Sequence, residues 1–184
     1  MATASTSVVV PLEIYLSTTY RPDCDWLDGE LKERNLGESP HAIVQGFLAY
    51  IFRASANAWN IRSLPEQRVQ TSSRHYRIAD LCLVRRETPF EPIVRTPPLL
   101  CVEILSRDDR MTEIQERVED YFAMGVRAVW VIDPRRRRAY LAQSDGQGNS
   151  FMQDAKETLG VPGTPIQVSV AEMFAELDEL ESQS

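Results

Sequence analysis

Two carboxylates stand in runs of residue where a folded chain rarely tolerates one. Asp80 lies in Tyr76-Arg77-Ile78-Ala79-Asp80-Leu81-Cys82-Leu83-Val84, and Glu103 interrupts the apolar run from Leu99 to Leu105. Each run is short enough for a strand and too short for a typical globular helix, and such runs fit strands covered on both faces. Glu103 is therefore either buried at a cost or placed for work. One loop, holding Pro89, Pro92 and Pro97, separates the runs, so they can be neighbours in one sheet. Two buried carboxylates with nothing between them repel: one takes a proton, or both share a cation. Hard oxygen donors suit Mg2+ or Mn2+, held by one or two carboxylates with water completing the shell. Such an ion lowers the pKa of a bound water and stabilises charge on a phosphoryl oxygen. The plainer alternative is that each acid meets an arginine, and arginines are plentiful here.

The elements that must hold these acids can be read around them. Leu99 to Leu105, a polar turn at Ser106 to Arg110, a helix with Ile114, Val118, Tyr121 and Phe122 on one side, a Gly125 stop and the buried run Ala128 to Ile132 make a strand–helix–strand unit. Upstream, Asp28-Gly29 predicts a tight hairpin whose returning strand runs from Glu30 to about Arg34. Pro11 opens a short helix, and Ser39-Pro40 opens a long one that carries His41, Val44, Leu48, Ile51 and Phe52 as a stripe and closes at Asn57 and Asn60. Trp59 to Thr71 reads as a strand in which Pro65 marks an edge, a bulge or a break. Ala139 to Leu141, a piece from Phe151, and Ile166 to Val168 are short strands. A final helix, Val170 to Leu180, turns Met173, Phe174, Leu177 and Leu180 inward. The expected fold is α/β, a central mixed sheet with the 38–58 and 111–124 helices packed against it.

Composition narrows the possibilities. The 184 residues have the length of one domain, and 43% of them are hydrophobic, enough for a single core. A net charge of −7 provides no global basic field for nucleic acid or an anionic membrane, though a locally basic cleft remains open. Arg135 to Arg138 either grip phosphate or form a solvated turn. Cys24, Cys82 and Cys101 have no metal-ligand spacing and read as buried free thiols in a reducing cytoplasm. Residues 1–10 lack the charged region and apolar length of a signal peptide, residues 1–7 are expected to fray, and no apolar run approaches a membrane span.

An Asp after a strand and a Glu in the strand beyond it resemble the PD-(D/E)xK nuclease core. More closely, Asp28-Gly29-Glu30-Leu31, His41, Ile78-Ala79-Asp80-Leu81, Val102-Glu103-Ile104-Leu105-Ser106, Tyr121, Gly125-Val126 and Trp130 to Pro134 resemble, in that order, the Uma2 family, formerly DUF820. These small, mostly bacterial proteins are assigned to the restriction-endonuclease-like fold. The resemblance covers nearly the whole chain and departs at three points. Ala79 stands where a proline is usual, Leu105 stands where the simple motif has its lysine, and Arg117 occupies the alternative lysine position one helical turn before Tyr121. Lys32 forms a literal ExK with Glu30 but precedes Asp80, in the wrong order for the motif.

The resemblance implies that Asp80, Glu103 and the main-chain carbonyl of Ile104 hold one Mg2+ or Mn2+. It further implies that Arg117 stabilises developing charge, that Glu30 is a third acid, and that Tyr121 and His41 contact substrate. DNA is the implied substrate, and a homodimer pairing two active sites is the implied assembly. The competing reading is a binding or regulatory protein that kept the fold and lost catalysis.

Overall fold

The computed structural model describes residues 9–35, 37–144 and 150–183, so the fraying expected for residues 1–7 and most of the turn expected after Ser144 lie outside it. Pro11 caps a one-and-a-half-turn helix α1 (Leu12–Ser17). The hairpin follows as β1 (Cys24–Leu27) and β2 (Glu30–Glu33), with Asp28 at φ 52° and Gly29 at φ 93° supplying the left-handed turn that Asp-Gly favours. Helix α2 (Ser39–Ala54) starts on Pro40 in its first turn. It ends before Asn57, earlier than the sequence suggests. A turn takes over at Ser55, and Asn60, at φ 54°, hands the chain to β3 (Ile61–Gln70).

The chain continues through β4 (His75–Arg85), β5 (Leu100–Ile104), α3 (Met111–Met124) and β6 (Ala128–Asp133). Gly125, at φ 108°, caps α3. Next come β7 (Arg138–Ser144), β8 (Ser150–Ala155), β9 (Thr158–Gly160), β10 (Gln167–Ser169) and α4 (Val170–Ser182). Ser169 caps α4 by accepting from the Glu172 N–H. Among the described residues no helix is long and apolar enough to cross a membrane.

The main sheet runs β2-β1-β4-β5-β6-β7-β8, with β3 also paired to β4; β5 and β6 are parallel and every other pairing is antiparallel. On one face Val44, Leu48 and Phe52 of α2 and Met173, Phe174 and Leu177 of α4 form a core with Leu81, Leu83, Leu100, Val102, Trp130 and Ile132. On the other, Ile114, Val118 and Tyr121 of α3 cover Cys82, Cys101, Val129 and Val131. Fully burying side chains of this kind contributes about 1.5–3 kcal/mol each. Leu180, expected inward, is 46% exposed because the last turns of α4 run beyond this core.

One irregularity positions the site. Strand β3 pairs with β4 along one edge from Tyr76 to Arg85. The other edge is shared: β1 pairs with His75 and Tyr76, and β5 pairs with Leu81 to Leu83. Residues 77–80 therefore face a fork where β1 and β5 part, and buried main-chain groups there need other partners. Side chains supply them. Asp25 accepts from Ile78 N at 2.9 Å, Arg34 donates to Ile78 O, and Gln45 donates to Asp80 O at 3.1 Å. Across the strand the ladder skips the Glu66–Asp80 pair, where Glu66, next to Pro65, adopts φ 47°.

Candidate active site

Asp80 and Glu103 meet at this fork, 1% and 2% exposed. Asp80 Oδ2 accepts from the Ile104 N–H at 2.6 Å, which ties β4 to β5 where their ladder has ended. Asp80 Oδ1 lies 2.5 Å from Arg34 Nη2, and His41 Nε2, from the first turn of α2, lies 3.5 Å from Oδ2. Glu103 Oε1 accepts from the Tyr121 hydroxyl at 2.6 Å. Its other oxygen faces two guanidinium groups, Arg34 Nη1 at 3.5 Å and Arg117 Nη1 at 3.6 Å. Arg117 Nη2 holds Asp25 at 3.1 Å, while its Nη1 is buried and makes no hydrogen bond.

The same carboxylate of Asp25 binds Arg77 at 3.1 Å, Arg77 binds Asp120 at 2.6 Å, and Asp120 binds His75 at 2.9 Å. His75 and Arg74 close on Asp28 at the hairpin. Acids and bases thus alternate without interruption from Asp80, through the protein, to the far end of β1.

Unequal neighbours drive the two central acids apart. Burial raises both, but for Asp80 the Arg34 charge, the His41 contact and the Ile104 N–H outweigh it, and the carboxyl falls below its ordinary value. For Glu103 burial wins over Arg117 and Arg34, helped by the Asp80 charge, and the carboxyl is pushed up to about 6. Burial lowers His41, yet the Asp80 contact more than offsets it and the imidazole is raised. Burial and the neighbouring Glu103 push the Tyr121 phenol far up, so it remains a hydrogen-bond donor. Asp80 therefore keeps its charge into acid, while Glu103 keeps its proton to higher pH than an ordinary glutamate.

The residues named from the sequence separate into two places. Asp80, Glu103, Ile104, Arg117, Tyr121 and His41 gather at the fork. Glu30 does not: it is exposed on β2 and lines a different groove, of about 530 Å3, with Asp28, His75, Glu116 and Asp120. The hairpin sends Asp25 inward instead, and that acid is fully buried. Arg117, one turn before the buried Tyr121, is itself mostly buried, with only 11% of its side chain accessible. Of the arginine run, Arg137 turns to Asp178 and Glu181 of α4, and Arg138 to Tyr140. Arg135 and Arg136 line a cavity of about 370 Å3 with Arg107 and Ser106, at the ends of the parallel strands.

Asp80 and Glu103 fit a small hard dication in kind. Among the described residues no three His, Cys, Asp or Glu side chains converge on one point, so such an ion would lean on this pair, a main-chain oxygen and water. Arg34 is the guanidinium that faces both acids, while Arg117 also faces Glu103 and His41 also faces Asp80.

A family model, Uma2, described as "Putative restriction endonuclease", matches residues 12–171. The chain belongs to the Uma2 family. This Uma2 chain is also similar to a crystal structure described as a putative nuclease belonging to DUF820 from Anabaena variabilis ATCC 29413, with a TM-score of 0.78. Sequence identity is 18%, and the match covers 91% of this chain and 99% of that one, which shows a shared fold. A DrdV–DNA complex matches 74% of the Uma2 chain and 11% of its own at 13% identity, with a TM-score of 0.42. No curated protein matches.

Proposed function

We propose that this Uma2 chain is a divalent-cation-dependent endonuclease that hydrolyses DNA phosphodiester bonds. The observation supporting this most directly is the convergence of two wholly buried carboxylates at a fork in the sheet, with opposite shifts and a buried arginine donor beside them. Asp80, Glu103 and the Ile104 carbonyl would hold Mg2+ or Mn2+, which when bound supplies an activated water and charge stabilisation at phosphorus. The rest is the work of the chain itself. Tyr121 fixes the orientation of Glu103, and the Ile104 N–H fixes that of Asp80. Arg117, anchored to Asp25, offers Nη1 to charge developing on the scissile phosphate. His41 can donate to Asp80 or to a phosphate oxygen. Arg107, Arg135 and Arg136 would offer positive charge to the DNA backbone, beside Asp109 and Asp133, which line the same cavity. Three buried free thiols fit a cytoplasmic setting.

Arg34 favours a second reading, a nuclease fold retained for binding with its acids already neutralised. Incubating supercoiled plasmid with the parent and with Asp80→Asn, in Mg2+, Mn2+ or EDTA, separates the two. Cation-dependent nicking by the parent that Asp80→Asn abolishes supports the endonuclease. Absence of nicking by the parent with either metal rejects it in favour of the binding protein.

A further inference from the structure

Arg34 follows the last residue of β2, and its N–H donates to Asp23 O at 2.8 Å, so the main chain is pinned beside the fork. Its side chain is 13% exposed and reaches three acceptors at once: Ile78 O, Asp80 Oδ1 at 2.5 Å and Glu103 Oε2 at 3.5 Å. A guanidinium presents its donors in a rigid fork, which suits it to bridge two carboxylates from different strands. Those carboxylates are the ones a dication would need. A guanidinium and a dication cannot both sit between them without strong like-charge repulsion.

Next to Arg34 lies an open cavity of about 180 Å3 that Asp23, His41, Glu66 and Asp80 also line. It offers the guanidinium another place to go. Asp23 and Glu66 bring carboxylates to that cavity, and Glu66 is held there by Gln45 at 2.5 Å. The left-handed backbone of Glu66 breaks the β3–β4 ladder directly across from Asp80. Arg34 thus faces the acid pair at the fork and also lines the cavity that holds Asp23 and Glu66.

We propose that Arg34 is a resident counter-ion of the acid pair and gates it: a divalent cation enters only as the Arg34 guanidinium withdraws towards Asp23 and Glu66. The proposal rests on the reading that Asp80 and Glu103 bind a cation. With the gate closed, the buried acids are balanced and the fold is stable without metal. With it open, they are a dication site. Metal affinity is therefore lowered by the cost of displacing the arginine.

Calorimetric titration with Mn2+, without DNA, tests the gate. Arg34→Met keeps an unbranched stem and removes the charge. It should bind Mn2+ about tenfold more tightly than the parent or better, as expected for removal of one like charge. The double variant Arg34→Met/Asp80→Asn should lose the gain. Without metal, Arg34→Met should melt below the parent, and Mn2+ should raise its Tm by more than it raises the parent's. Where Arg34→Met does not fold, Arg34→Lys, whose compact charge bridges the pair less well, should show a smaller gain in affinity. Equal affinity of the parent and the folded Arg34 variants overturns the gate and leaves the metal-site reading standing. Absence of Mn2+ binding by every variant overturns both. A gain in affinity that survives in the double variant places the metal elsewhere and also overturns the gate.

Discussion

Glu103 illustrates how little of a buried acid's behaviour its own identity determines. Its carboxyl titrates at about 6 in the folded protein against 4.5 for an unperturbed glutamate, so folding favours the protonated form. The stability this group adds is fully present below 4.5 and is lost as pH rises through 6. The loss amounts to about 2 kcal/mol. Thermal melts between pH 4 and 7 should show the parent losing stability over that window relative to Glu103→Gln, which has no proton to lose. Parallel profiles would show that Glu103 titrates normally. Asp80 has the opposite sign, since its lowered carboxyl adds stability that disappears only in acid. Both acids were visible in the sequence because a charge in an apolar strand demands a reason. Asp25, between Cys24 and Trp26, carries the same signal in a strand so short that it is easily missed. Arg34 carries no signal, because nothing local marks the last residue of a hairpin as the partner of two acids far away in the chain.

At the level of elements, turns and caps were the most legible features, since a few residue types satisfy their backbone demands. Asp28-Gly29 forms the hairpin turn, Pro40 opens α2, and Gly125 closes α3. Gly125→Ala should destabilise the protein by about 1–2 kcal/mol, the cost of a left-handed residue with a side chain. The added methyl would in addition sit 3.4 Å from Pro97 Cγ. Urea unfolding measures this, and an unchanged midpoint would mean that the cap relaxes. Less legible were the three-residue β9, too short to show a period, and the end of α2, where turn residues continue a helix-like composition. Which hairpin acid faces the fork depends on the pairing of β1 with β4, a long-range fact that favours Asp25 over Glu30.

For the molecule as a whole, charge placement matters more than the net −7. On the proposed reading the DNA backbone would meet Arg107, Arg135 and Arg136 at the ends of β5 and β6, where they share a cavity with Asp109 and Asp133. DNA affinity measured by fluorescence anisotropy with Ca2+ in place of Mg2+ should fall with salt. Replacing Arg135 and Arg136 with alanine should flatten that log–log slope by about 2, one unit for each lost phosphate contact. A slope unchanged from the parent's would place the DNA on another face. The fold class, the mixed sheet and the packing of α2 and α3 were within reach of the sequence because they rest on apolar run length, turn residues and helical spacing. The fork was not, because it arises from two strands competing for one edge.

The alternating chain of charges from Asp80 to Asp28 also bears on how this protein can change over generations. Replacing one of its buried members, Asp25, Arg77, Glu103 or Arg117, strands a buried partner of opposite sign, a loss of about 3–5 kcal/mol, on the scale of a small protein's whole margin. Coupled sites of this kind are not additive, so a second substitution can rescue the first. Asp25 and Arg77, or Glu103 and Arg117, should therefore be exchanged in pairs or not at all. In descendants of this sequence they should behave as inherited units, and a lineage that loses one acid should carry the mark of that loss in the arginine next to it.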